Sequence, residues 1–307
     1  MVLAGAGFGA QSVLAKVAYD GGADVPTVLA VRFGVASCLI WTFVAVRARV
    51  ERARPAEVSR ERWAGIAALG LLFVTSALFA YLALDRLPAG TTTLLVFVYP
   101  ALVVLWSRLL FGERITRRRG WALALALVGC ALTVDPASVV ATGAGLSGAG
   151  IAWAIGSAVS NSWYATLAGP ITRGLPGLTV AAYSLPVTAV CFVGGLVALG
   201  GPAAGITVGG WLASAAIGLL VAASTAAFLA GVARIGPSRA AIAATSEPAT
   251  AVVLGVVVLG ESVSGAGLLG AGCIVAAILI LAGSRPVTSD VARKDSKGGK
   301  GASTAAA

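Results

Sequence analysis

Apolar residues run along this chain in ten stretches of around 18–22 residues, each separated from the next by a short glycine, proline or charged patch. The stretches cover about 3–19, 27–46, 63–84, 88–111, 119–135, 149–168, 177–198, 209–231, 237–259 and 265–283. A helix rising 1.5 Å per residue crosses a hydrocarbon core of ~30 Å in about 20 residues, so each stretch is long enough to span a bilayer. The runs are continuously apolar, as in "LLVFVYPALVVLWSRLLF", without the alternation that a membrane β-strand would show. The pattern predicts an all-α polytopic membrane protein with ten transmembrane helices.

Composition agrees. Hydrophobic residues make up 58% of the 307 and charged residues 11%, against roughly 45–50% and about 25% in soluble domains. The net charge of +10 would suit nucleic acid, but its distribution says otherwise. Arg47, Arg49, Arg52, Arg54, Arg60 and Arg62 lie between spans two and three, Arg114 and Arg117 to Arg119 follow span four, and further basic residues lie beyond span ten. These places share one side of the membrane if the spans alternate, and the opposite loops hold Arg86 alone. Such a bias is a topology signal that puts both termini in the cytoplasm. No nucleic-acid partner is implied. The sequence starts on its first apolar span, so no cleaved signal peptide is expected.

The second half repeats the first. Residues 87–113 align without a gap on residues 235–261 at an offset of 148, so that Pro100 falls on Pro248 and Gly112-Glu113 on Gly260-Glu261. Five spans per copy is an odd number, which turns the second copy upside down. The loops agree: "GERITRRR" keeps its arginines, whereas its counterpart "GESVSGAG" has none. The expected organisation is two inverted five-helix repeats, 1–135 and 149–283, followed by a disordered basic cytoplasmic tail at 284–307.

At "YPALVVLWSRLLFGERIT" and "SEPATAVVLGVVVLGESVS", each a proline, an apolar helix and then Gly-Glu, the chain resembles the EamA family of the drug/metabolite transporter superfamily. Arg32 and the span "WAIGSAVSNSWYATLA" add to the resemblance. It implies a ten-helix transporter with a cavity between its halves, exporting small metabolites, amino acids or drug-like compounds.

The residues point to where such a cavity would lie. Glu247 sits about ten residues into span nine, near the bilayer midplane, where a carboxylate costs about 2.5–3.5 kcal/mol and normally faces water or the bundle interior. Beside it, Pro248 leaves the Ala244 carbonyl without its helical donor. Tyr99 and Pro100 occupy the same place in the other copy, and helices broken at corresponding positions point to a transport site. Pro100 and Pro248 are thus the expected hinges. Glu247 is expected either to pair with a cationic group of the solute or to exchange a proton, with a structural carboxylate as the alternative.

Asn161, Trp163 and Tyr164 in span six are candidate cavity residues, with interhelical packing as the competing role. Arg32 is open to solute contact or to anchoring through Asp20 or Asp24. Glu113 and Glu261 read as helix-terminal residues that bond their own loops. The pair Gly5 and Gly9 would seat a neighbouring helix closely within the bundle.

Four cysteines lie singly in different spans and the chain has no histidine, so neither disulfides nor a metal or other cofactor is expected. Two GxGxxG matches lack a strand-helix setting, and the tail lacks a complete phosphate loop. The expected function is secondary transport by alternating access, with a small-molecule substrate and the lipid bilayer as partners. An enzyme acting on lipid-like substrates and a scaffold subunit are the alternatives. Monomer and homodimer both stay open. An arginine-, alanine- and glycine-rich composition suggests a bacterial inner membrane.

Overall fold

The structure, a computed structural model, describes residues 1–50, 58–84, 86–87, 89–113, 115–133, 147–259 and 265–282. Arg52, Arg54, Arg114, Glu261 and the 284–307 tail lie outside the described residues.

Among the described residues all regular structure is helical. The elements are α1 (Val2–Asp20), α2 (Val25–Val50), α3 (Arg60–Leu84), α4 (Ala89–Val96), α5 (Tyr99–Phe111), α6 (Arg117–Thr133), α7 (Gly148–Ile171), α8 (Gly177–Ala198), α9 (Val208–Ile235), α10 (Pro237–Ala244), α11 (Ser246–Leu259) and α12 (Gly265–Ala282). Spans four and nine are the two that divide, into α4 with α5 and α10 with α11. Among the described residues five stretches are long and apolar enough to cross a membrane by length and composition, including Val25–Val50, Gly177–Ala198 and Val208–Ile235.

Local signals set the helix ends. Asp24 accepts a hydrogen bond from the Thr27 amide and caps α2, Ser147 accepts from Gly150 at the start of α7, and Thr207 accepts from Gly210 at the start of α9. Gly112 ends α5 with φ of 63°, a left-handed conformation that costs glycine little. Large apolar side chains such as Trp121, Val190, Leu212, Leu268 and Leu269 point outward. A surface of this kind suits hydrocarbon rather than water.

The helices pack with a two-fold exchange. α3 lies along α7 as α9 lies along α1, α3 meets α8 as α9 meets α2, and the broken pairs rest on α7 and α1 respectively. α2 with α8, and α6 with α12, pair across the pseudo-axis. Lipid supplies no hydrophobic drive between helices, so the seams rely on small residues. Gly5 and Gly9 show this directly: a Cβ at Gly5 would collide with the Ser246 hydroxyl, and one at Gly9 with the Glu247 carbonyl. The expected close contact of that glycine pair is therefore with α11, inside the bundle.

Connections gather at two ends. At the first, Arg62 donates to the Arg173 carbonyl, Glu113 meets Ser238, and Pro237 packs at Gly169. At the second, Thr207 donates to the Gly21 carbonyl, Ala203 donates to Thr27, and Leu87 packs at Gly150. Most of the described arginines lie at the first end, matching the one-sided charge seen in the sequence.

The exchange fails at one place. Among the described residues α10 packs along α5 at the first end, whereas the equivalent pair, α4 and α11, makes little contact at the second. Every residue from Ser238 to Ala244 is buried, so α10 closes the first end tightly.

Candidate functional site

The two helix breaks occupy equivalent positions. α4 ends at Val96 and α10 at Ala244, each four residues before a proline, and the 148-residue offset relates both pairs. Pro100 and Pro248 have no N–H to give the Val96 and Ala244 carbonyls, so the helical ladder fails there. Tyr99 opens α5, and Glu247 lies in the first turn of α11, where the helix N-terminus favours negative charge. Both prolines are buried.

Between the breaks lies a cavity of about 190 Å³. Val96 and Tyr99 face it from one half, Ala244 and Glu247 from the other. On α3, Phe73, Ser76, Ala77 and Ala80 line it at the i, i+3, i+4, i+7 spacing of one helix face. Their 148-residue counterparts on α9 include Val221 and Phe228, which line the opposite wall.

A second register emerges at α1 and α7. Ser157 donates to the Ser76 carbonyl at 2.8 Å, and Gly7 abuts Ser224, the counterpart of Ser76. Gly7 and Ser157 are therefore equivalent, and four residues further along their helices stand Gln11 and Asn161, both on the cavity wall. The pseudo-axis thus relates two side-chain amides, as it relates Tyr99 to Glu247.

Arg32 and Phe33 of α2 complete the lining. The Arg32 guanidinium lies 4.6 Å from the Phe33 ring centroid and 6.0 Å from that of Tyr81. A chain of rings extends from it: Phe33 meets Phe73 at 5.3 Å, Phe73 stacks on Tyr164 at 5.2 Å, and Tyr164 stacks on Phe228 at 6.1 Å. Arg32 and Glu247 share the lining, yet no ion pair or hydrogen bond joins them among the described residues.

Five of the six candidate binding residues, Glu247, Tyr99, Asn161, Tyr164 and Arg32, thus share one cavity. Trp163 does not line it. Asn161 and Tyr164 lie three apart on one face of α7, and Trp163 projects off that face to stack on Trp106 at 5.0 Å and 19°. Trp106 in turn donates to the Ser162 hydroxyl at 3.1 Å, so this pair seats α5 on α7. Arg32 also departs from the anchoring alternative, because Asp24 serves as the α2 cap and the guanidinium lies over rings.

Glu113 does more than bond its own loop. It accepts from Arg119 and from the Ser238 hydroxyl, both at 2.6 Å, and so ties the α5–α6 turn to the start of α10. The sequence reading missed Gln11, Phe33, Phe73, Ser76 and Phe228. Gln11 carried a legible signal, an isolated amide in the first apolar span, but its partner Asn161 becomes visible only through the Gly7–Ser157 register.

Residues 1–135 and 148–283 each match the EamA-like transporter family. The chain belongs to that family. A solved structure described only as a crystal structure of a protein superimposes with a TM-score of 0.73 and 22% identity, covering 91% of this chain and 98% of its own; it shows the shared fold. A comparison with curated proteins finds no match. With two EamA-type copies and several long apolar helices, this is a membrane protein with the architecture of the drug/metabolite transporters.

Proposed function

We propose that this EamA-family protein exports small organic metabolites, amino acids or drug-like solutes, across the membrane by alternating access. Ten spans form two inverted five-helix units, with both termini in the cytoplasm of a bacterial cell and the protein in its inner membrane. The observation that carries the reading is the cavity at the two helix breaks, where Tyr99 and Glu247 meet from opposite halves. Broken helices at matching positions of two repeats leave backbone and side chains free to hold a solute midway through the bilayer.

The failure of exchange symmetry supports the mechanism. In the observed state α5 closes on α10 at the arginine-rich first end, the cytoplasmic one by the charge bias, while among the described residues α4 and α11 make little contact at the other. Exchanging these two packings would open the cavity inward, and the pseudo-two-fold makes the second state a near mirror of the first. The Glu113 bridge to Ser238 and Arg119 acts as the inner gate.

Glu247 is the coupling residue. Its carboxylate has no hydrogen-bond or ion-pair partner among the described residues, so it binds a proton in one part of the cycle and releases it in another. The test is counterflow of amino acids, nucleosides and cationic dyes in proteoliposomes, with and without a pH gradient. Uptake of one class that quickens with an imposed gradient supports the proposal. No movement of any class above protein-free vesicles overturns it.

A further inference from the structure

Two buried donors facing the cavity have no acceptor. Gln11 Nε2 and Arg32 Nε are both buried without a hydrogen-bond partner, and Gln11 as a whole is 9% exposed. A buried donor left unmade costs about 1–3 kcal/mol, more when charged. Both residues line one cavity, where a bound ligand group would satisfy them. Both are N–H groups, one of them cationic, so the fitting ligand group is an anion.

Glu247 supplies the opposite polarity. Arg32 and Glu247 line the same cavity, and among the described residues neither a hydrogen bond nor an ion pair joins them. The rings of Phe33, Phe73, Tyr164 and Phe228 flank the space with apolar surface. Size narrows the occupant further, because about 190 Å³ is smaller than the roughly 300–1,000 Å³ of pockets for drug-sized ligands.

We propose that Arg32 and Gln11 form an anion-receiving pole of the cavity, and that its solute is a small zwitterion with its cationic end toward Glu247. This rests on the transport reading and removes bulky cationic drugs from it. Asn161, the symmetry counterpart of Gln11, faces the same space and is placed to bond the solute from the other half.

The test uses matched probes with the purified full-length protein: alanine and leucine, their amides, which lack the anion, and 4-methylpentanoate, which lacks the cation. Binding is read as a thermal-unfolding shift and transport as counterflow. The parent protein should favour each amino acid over its amide by about ten- to hundredfold, the effect of charge-assisted hydrogen bonds. Gln11→Leu and Arg32→Gln should erase that ratio, and Gln11→Glu should turn it toward the amide. Because the ratio is taken within one protein, a loss of folded material cancels. Equal handling of acid and amide by the parent, or an unchanged ratio in the variants, overturns the proposal. If only a cationic dye moves, the anion pole is wrong and the transport reading stands. If nothing moves, both fail.

Discussion

The Glu113 carboxylate accepts a 2.6 Å hydrogen bond from the Ser238 hydroxyl, joining the turn just after α5 in one repeat to the first turn of α10 in the other. The 148-residue offset puts Gly90 at the position equivalent to Ser238, so that position itself offers no hydroxyl. Among the described residues this polar latch is seen at the first end.

Loss of that latch should move the protein toward its other state. Hydrogen bonds to charged groups contribute about 1.5–3 kcal/mol, a ten- to hundredfold change in a two-state population. Glu113→Gln is expected to speed maleimide labelling of a cysteine placed at Ala241, which is fully buried on α10, by tenfold or more. An unchanged labelling rate would remove the latch from the transport cycle.

The carboxylate at the second helix break should govern pH dependence beside its part in receiving the solute. Glu247→Gln keeps the shape of the side chain and removes its titration, so transport by that variant is expected to be flat across pH while the parent responds. Insertion and oligomeric profile should stay as in the parent. A variant that follows the parent's pH profile would make the carboxylate structural.

Close approach of α1 to α11 positions Glu247, so added bulk at the seam should be costly. A Cβ at Gly9 would lie 2.9 Å from Thr250 Cβ and against the Glu247 carbonyl, whereas one at Gly34 meets only Val193 Cγ2 at 3.9 Å. Gly9→Ala should lose about 1–3 kcal/mol through overpacking, and Gly34→Ala almost nothing. Thermal unfolding of both in one detergent checks the pair; equal midpoints would contradict the packing.

Neighbouring residues of span six should separate by function. Trp163 stacks on Trp106, so Trp163→Ala should lower stability by at least the about 0.5–1.5 kcal/mol of an aromatic pair and leave relative solute preferences alone. Asn161→Ala should alter solute preferences with a smaller loss of stability. Competition assays beside unfolding curves distinguish the two, and the reverse outcome would move Trp163 into the site.

Much of this was legible in residues 87–113 and 235–261, because a bilayer imposes span length, and an intramembrane carboxylate or proline stands out against an apolar background. Span ends followed within a few residues: the expected 177–198 is α8 itself, and 237–259 is α10 and α11 together. Trp163 and Gln11 show the limit. Residues 161, 163 and 164 differ by a rotation about one helix axis, and only the helices packed around α7 decide which side is cavity and which is seam. Glu113 shows another, since a glutamate after a glycine looks like a helix end until Ser238 is seen beside it.

The sequence by itself determined the membrane character, the duplicated architecture, the charge asymmetry and the paired breaks at Tyr99-Pro100 and Glu247-Pro248, because each follows from local composition or from the comparison of one segment with another. Tertiary structure alone decided that Gln11, Arg32 and Glu247 share a cavity, that Trp163 turns away from it, and which end is latched. Those relations join residues far apart in the chain, through helix rotation and close packing at glycine seams, and no local rule along a helix specifies which face its neighbours will cover.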